Sequence, residues 1–380
     1  MTDTSHAMIE LQGISKTFNQ FVALKPTSLS IRKGEFLTLL GPSGSGKSTL
    51  LNLISGAYSS SSGKILLKGQ DITSAPPRDR EIGMVFQNYA LMPHMTAFEN
   101  VAYPLKIRGV PRQEIRERVM DALRRVGLAG FEQRKPRQLS GGQQQRVGIA
   151  RCIVYSPSII MMDEPLGALD KNMREQMQDE IKTLHREIGT TFIYVTHDQE
   201  EALNMSDRIC LMNEGGIVQL GTPDDLYFRP VNQFAARFIG ESNLIPGRAE
   251  AVDVLRMKSG HALDLAGSHR LSPGSDYEVM LRPERVRIAS PGQAPLASGQ
   301  VTNVAFVGSL TTITVRLPDQ TVLKLKTTSL PSQARPQPGD AIDLRWEPED
   351  FIVLGDQQTR SVPGAAVQGA SYSTAATSRA

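Results

Sequence analysis

The chain has 380 residues, more than one ordinary domain needs, so two domains with a sizeable core are expected. Its 42 lysines and arginines against 39 aspartates and glutamates leave a net charge of +3, with no block of like charge that would track a polyanion, which argues against nucleic acid as a partner. The opening MTDTSHAMIE has no basic stretch followed by an apolar one, and nowhere do about eighteen apolar residues run together, so the chain is expected in the cytoplasm and not across a membrane.

From Met8 to about Gly240, short apolar runs alternate with longer helix-like stretches, the rhythm of an α/β domain. The strand candidates in order are EFLTLL (35–40), EIGMVF (81–86), SIIMMD (158–163), TFIYVT (191–196) and RICLMN (208–213). Between the third and fourth, Met173, Met177, Ile181 and Leu184 recur at helical spacing in a polar background, which predicts an amphipathic helix with that stripe in the core. Cys152 and Cys210 lie inside apolar patterns and read as small buried hydrophobes without a chemical role. A turn-rich stretch, GESNLIPG (240–247), marks a change of texture. Beyond it the period is two: Ile313, Val315 and Leu317 alternate with Thr312, Thr314 and Arg316, and Ile342, Leu344 and Trp346 oppose Asp343 and Arg345. That alternation predicts a small, barrel-like all-β domain. The last residues are small and polar, with too little apolar surface to offset ordering entropy, and read as disordered. The expected division is therefore 1–240, 241–356 and 357–380.

GPSGSGKST follows the first strand candidate and precedes the apolar LLNLI, the strand-loop-helix setting a phosphate loop requires. Its residues, Gly41, Pro42, Ser43, Gly44, Ser45, Gly46, Lys47, Ser48 and Thr49, are expected to hold nucleotide phosphates. The glycines let backbone N–H groups converge on phosphate oxygens at a helix N-terminus. Lys47 would neutralise the β and γ phosphates and the Ser48 hydroxyl would ligate Mg2+. SIIMMDEP ends a buried strand in two carboxylates: Asp163 is placed to hold Mg2+, and Glu164 to take a proton from, or orient, an attacking water. Gln87 and His197 also end apolar runs and so point to the crevice at the carboxyl ends of strands; Gln87 is read toward Mg2+ or the water and His197 toward the γ phosphate, with helix capping as the alternative for each. Phe18 is an aromatic available to stack on adenine, or else a core residue. A second glycine-rich stretch, LSGGQQQR (139–146), also looks built to hold phosphate at a helix mouth, yet lacks a lysine.

Taken in order, these motifs resemble the ATPase subunits of ABC transporters. Phe18 matches the adenine-stacking aromatic, where many relatives carry Tyr or Trp. GPSGSGKST matches Walker A, Gln87 the Q-loop, LSGGQQQR the signature, IIMMDE Walker B, GALD (167–170) the D-loop and His197 the switch histidine. The resemblance implies a P-loop ATPase fold with a helical subdomain, and ATP and Mg2+ as cofactors. It implies a homodimer in which Ser140, Gly141, Gly142 and Gln143 of one subunit close over the ATP held by Walker A of the other. LRPERV (281–286) and GDAIDLRWEPED (339–350) resemble the β-barrel regulatory extension, TOBE or OB-like, of importer ATPases. Two permease subunits and, indirectly, a solute-binding protein are implied as partners, with the chain peripheral on the inner membrane face. NYALMPHMTAFENV (88–101) resembles the surface that receives a permease helix, through Met92, Met95 and Phe98. In wording the chain is most similar to the spermidine/putrescine branch, with ferric iron, aminoethylphosphonate, sulfate and sugar importers as alternatives. A P-loop kinase would have no use for LSGGQQQR, and a soluble ABC protein acting on ribosomes or DNA would usually carry two ATPase halves.

Overall fold

The computed structural model describes residues 7–167, 169–258, 260–265, 271–290, 292–329 and 335–354; the tail expected to be disordered, 357–380, lies outside the described residues. Two long strands, β1 (Ala7–Phe18) and β2 (Phe21–Arg32), form an antiparallel ribbon closed by a two-residue turn in which Asn19 takes a φ of 52°, a conformation asparagine tolerates better than most residues. There follow β3 (Phe36–Leu40), α1 (Lys47–Ser55), β4 (Ser62–Leu67), β5 (Gln70–Asp71) and β6 (Ile82–Val85). A helical subdomain comes next, made of α2 (Ala97–Ile107), α3 (Arg112–Arg125) and α4 (Gly141–Ile153). The chain then alternates β7 (Ile159–Asp163), α5 (Lys171–Ile188), β8 (Thr191–Thr196), α6 (Gln199–Met205) and β9 (Arg208–Asn213), and ends this half with β10 (Gly216–Gly221), α7 (Pro223–Phe228) and α8 (Gln233–Phe238).

The main sheet runs β10-β9-β3-β8-β7-β6, with β3, β6, β7, β8 and β9 parallel. Because side chains alternate across a strand, Leu37 and Leu39 face one side with Met161, Ile193 and Val195, while Phe36, Ile160, Met162, Phe192 and Tyr194 face the other. On the first side α1 is sandwiched through Leu50, Leu51, Leu53 and Ile54 against the antiparallel sheet β2-β1-β4-β5. On the second, the helical subdomain and α5 cover the sheet, with Met177, Ile181 and Leu184 buried as the stripe predicted and Met173 only partly so. Cys152 and Cys210 are both buried free thiols.

The C-terminal part holds β11 (Asn243–Ala249), β12 (Val254–Met257), β13 (Ala262–Asp264), β14 (Asp276–Leu281), β15 (Arg287–Ile288), β16 (Ala297–Val307), β17 (Leu310–Arg316), β18 (Val322–Thr328), β19 (Ala341–Arg345) and β20 (Phe351–Leu354). They make two antiparallel sheets, β13-β12-β11-β14-β20 and β15-β19-β16-β17-β18. The sheets share one core that includes Ile313, Val315, Leu317, Leu323, Leu325, Leu344 and Trp346, the inward set expected from the period of two.

Arg282, buried at 2 % exposure, fastens this part to the first. Its Nη1 donates to Glu241 O at 3.1 Å and Ser242 Oγ at 2.8 Å, its Nη2 donates to Tyr227 O, and its guanidinium lies 4.0 Å above the Tyr227 ring. Beside it Ala236, Met280 and Leu354 form a small apolar cluster of their own. Among the described residues no helix is long and apolar enough to cross a membrane.

Candidate nucleotide-binding site

Strands β3, β8, β7 and β6 are neighbours and parallel, so their carboxyl ends open on one edge, where ligands of α/β sheets bind. Gly41, His197, Glu164 and Gln87 each stand just past one of those ends. The sheet thus brings together four motifs that are up to about 150 residues apart in the chain.

The loop 41–46 is shaped by glycines, two of which leave no room for a side chain. A Cβ on Gly41 would sit 2.2 Å from Met212 O and 2.8 Å from Ser45 Oγ, and Gly46, the residue before α1, has a φ of 99° with Ala23 O about it at 3.0 Å. The helix N-terminus carries no side-chain cap, so the first N–H groups of Lys47, Ser48 and Thr49 are left for an outside acceptor. Lys47 is 5 % exposed and its Nζ donates to Gly41 O at 2.7 Å and Pro42 O at 2.9 Å, which hangs its charge inside the loop. Burial lowers the Lys47 pKa, while Glu164 and then Asp163 oppose that shift. Ser45 Oγ is buried without a hydrogen-bond partner, a polar atom suited to a phosphate oxygen. Ser43, Gly44 and Ser48 are exposed, Pro42 and Thr49 partly so.

Asp163 ends β7, and burial, then the neighbouring Glu164, raise its carboxyl above the ordinary range against the pull of Lys47. Glu164 takes a left-handed φ of 43°, held by its N–H donating to Val195 O at 2.9 Å, so β8 itself enforces a conformation that side chains adopt at a cost. The turn aims its carboxylate at His197, whose Nδ1 lies 3.2 Å from Oε2. Helix capping does not account for His197: Asp198 is the residue that caps α6, accepting from Glu200 N and Glu201 N. Gln87 is exposed and caps no helix; its amide nitrogen would lie 3.7 Å from a Cβ on Gly167 in the GALD stretch. Phe18 is 41 % exposed at the tip of the β1–β2 ribbon, edge-on to Tyr58 at 5.5 Å and under Lys16 Nζ at 4.9 Å, so it is not a core residue. Ala23, five residues further along that ribbon, touches Gly46, which sets the aromatic tip beside the phosphate loop.

LSGGQQQR begins α4 as the sequence anticipates, but its neighbours are not those of Lys47. Ser140 is the N-cap: its Oγ accepts from Gln143 N at 3.3 Å and Gln143 Oε1 accepts from Ser140 N at 3.0 Å, a reciprocal capping box. Gly141 is exposed, and a Cβ on Gly142 would meet Met173 Cε at 2.5 Å, so the helix mouth abuts the first turn of α5 and faces outward. Among the described residues no hydrogen bond or ion pair joins this phosphate-type helix end to the loop at 41–49. Arg146, at the end of the motif, pairs with Glu180 of α5 at 2.5 Å.

One group behind the site is not marked by any of the motifs. Arg174 donates to Leu169 O and to Asp198 Oδ2, each at 3.2 Å, and approaches Glu201 at 3.9 Å. Glu201 accepts from Tyr194 OH and Thr196 Oγ1, and burial holds its carboxyl above the ordinary range. One guanidinium thus joins the GALD turn to the residue after His197. The D–x–x–E pattern of Asp198 and Glu201 was the available signal, and it reads only as a helix start.

For a divalent cation the protein offers Ser48, Asp163 and Gln87, all hard oxygen donors. Among the described residues no group of three or more His, Cys, Asp or Glu could hold a metal alone, and a magnesium ion shared with nucleotide phosphates requires none.

A parallel sheet with an uncapped glycine loop on one strand end and paired carboxylates on the next but one defines a P-loop nucleoside triphosphatase. Residues 24–167 match the ABC transporter family and residues 279–354 the TOBE domain family. The spermidine/putrescine import ATP-binding protein PotA of Rubrobacter xylanophilus is 44 % identical over 92 % of this chain and 94 % of its own length. That of Acetivibrio thermocellus is 48 % identical over 80 % and 85 %. Among solved structures, cbiO1 from Clostridium perfringens, part of an ABC transporter complex, superposes with a TM-score of 0.55 at 30 % identity, covering 58 % of this chain and 90 % of that one. The cassette MJ0796, solved as a dimer bound to ADP and Pi, gives 0.51 at 37 % identity, covering 57 % and 99 %. The chain belongs to the ATP-binding subunits of ABC transporters, and it is an ATPase.

Proposed function

We propose that the chain energises the import of polyamines of the spermidine/putrescine class. It works as a homodimer against two membrane permease subunits on the inner face of the cell membrane and is fed by a separate solute-binding protein. The observation that carries the dimer is the outward-facing, phosphate-type start of α4, which its own loop at 41–49 does not meet; the dimeric state of the cassette MJ0796 supports it. The polyamine class is supported by the names of relatives at 44–50 % identity.

In this reading Lys47 and the N–H groups of the loop grip the β and γ phosphates, and Phe18 stacks on the adenine. Ser140, Gly141, Gly142 and Gln143 complete the partner's site with hydrogen-bond donors at a helix N-terminus. Mg2+ would be held by Ser48 and Asp163, with Gln87 nearby, and when bound it would offset phosphate charge. Glu164 accepts the proton of the attacking water, and His197 holds the Glu164 carboxylate and the γ phosphate in register. Binding of the γ phosphate favours the closed pair, and its loss opens it. Met92 and Met95 stay half-buried on the surface, with Pro93 and His94 exposed between them, a loop pinned by Asn100 and available to a permease helix. Phe98 packs against the helical subdomain core. The division at residue 240 belongs to the same reading, with the following β part as a regulatory unit.

The test is the native complex in proteoliposomes with its binding protein. Spermidine or putrescine should stimulate ATP turnover, and ferric ion, aminoethylphosphonate, sulfate and maltose should not. Stimulation by one of the latter alone would reassign the cargo.

A further inference from the structure

The turn after Gln87 is strained, and it is closed locally by Tyr89 N–H donating to Phe86 O at 2.9 Å and Ala90 N–H donating to Asn88 O at 2.5 Å. Tyr89 and Ala90 are consecutive non-glycine residues with φ of 56° and 46°, left-handed positions where a Cβ crowds its own carbonyl. Neither side chain helps: Tyr89 is buried with its hydroxyl unpartnered, and alanine has no polar group to give. What grips the pair comes from 61 residues further on, where Arg151 in the last turn of α4 donates Nη1 to Ala90 O and Nη2 to Tyr89 O, both at 2.7 Å. The same helix packs closely around that turn. A Cβ on Gly148 would lie 3.7 Å from Tyr89 O, and Cys152 Sγ comes within 2.3 Å of where a Cβ on Gly83 of β6 would be. Strand β6, the turn after it and the second half of α4 are therefore one packed block.

We propose that Arg151 is a positioning residue: its two-pronged grip on the left-handed carbonyls sets where Gln87 stands at the phosphate edge and fixes Gln87 to the helix that begins at Ser140. A guanidinium suits this because its planar fork presents two donors on separate nitrogens at a fixed spacing, whereas an ammonium offers all its donors from one point. With 13 residues α4 is about 20 Å long, so a displacement at its serine end reaches the Gln87 turn through a rigid rod. The inference rests on reading Gln87 as part of the nucleotide site and adds the residue that places it.

The test measures kcat and KM for ATP, with Tm, in the full chain. Arg151→Met keeps the stem and loses the fork; kcat should fall about tenfold or more, with KM for ATP within about threefold. Arg151→Lys should fall between it and the parent. Ala90 is exposed, so its substitutions act on the backbone: Ala90→Gly should leave the parent within about twofold yet restore most of the kcat of Arg151→Met, and Ala90→Val should lower kcat alone. Arg151→Met within twofold of the parent while Gln87→Ala is impaired overturns the proposal. So does a double variant no faster than Arg151→Met with the same lowered Tm, because that marks a purely structural role. Gln87→Ala with parent kinetics overturns instead the reading of Gln87 beneath it.

Discussion

Glu164→Gln separates binding from hydrolysis. Glutamine has the shape of glutamate, the residue's left-handed backbone is fixed by Val195 O, and its amide oxygen can still accept from His197, so the local structure should persist. What disappears is the ability to take a proton, and a positioned general base contributes roughly 10²–10⁴-fold, or about 3–5 kcal/mol of barrier. ATP binding should survive, because Lys47 and the glycine loop are untouched and Asp163 loses a neighbouring negative charge that was raising its carboxyl. The variant should therefore turn over ATP roughly 10²–10⁴-fold more slowly and accumulate as a dimer. The assays are single-turnover hydrolysis and light scattering with ATP and Mg2+. A monomer that hydrolyses at the parent rate would refute both the base assignment and the shared site.

Asp163→Asn should raise the Tm measured without added nucleotide at neutral pH. The folded carboxyl titrates above its ordinary value near 3.8, so folding binds the proton and stability falls as pH climbs through the raised value. The gain should be full above that value, vanish below about pH 4, and come with weakened Mg2+-dependent turnover. Ser140→Ala should cost about 1 kcal/mol through the lost cap, read as a small Tm decrease, whereas its effect on turnover should be far larger. Arg282→Met strands buried acceptors at the joint between the two parts; a loss of about 3 kcal/mol is expected, and calorimetry should show the β part melting separately.

The site was legible because its chemistry is written at short fixed spacings: glycines that permit 99° at Gly46, a lysine next, a serine after it, and carboxylates at the end of an apolar run. The serine–glutamine pair at 140 and 143 likewise gave away a helix start. Long-range placement was not legible. Nothing at Tyr89 and Ala90 themselves announces a left-handed pair, since neither is the usual glycine or asparagine and the guanidinium that grips their carbonyls lies on another element. The 12-residue strand β1 escaped the period-two reading because register shifts break its alternation: one between Ala7 and Ile9 goes with Met8 and Ile9 both buried, and others follow from Leu11 onward. Phe98, read with its methionine neighbours as a docking contact, is partly buried and also packs against the helical subdomain core, because it lies on α2. Arg282 has no local signal within LRPERV, and its role appears once α7, α8 and the end of β14 converge on it.

The Ser140 cap has a consequence for the speed of closure. A hydroxyl has two lone pairs and one proton, and Gln143 N–H occupies only a lone pair. The cap therefore locks the oxygen's position while leaving its proton free to point at solvent. A phosphate arriving from a second subunit would meet a donor already in place, with no bond to break and little rotamer freedom left to lose. Association of two subunits would then be limited by their encounter, and the serine would release its partner just as readily once the charge it faces has diminished.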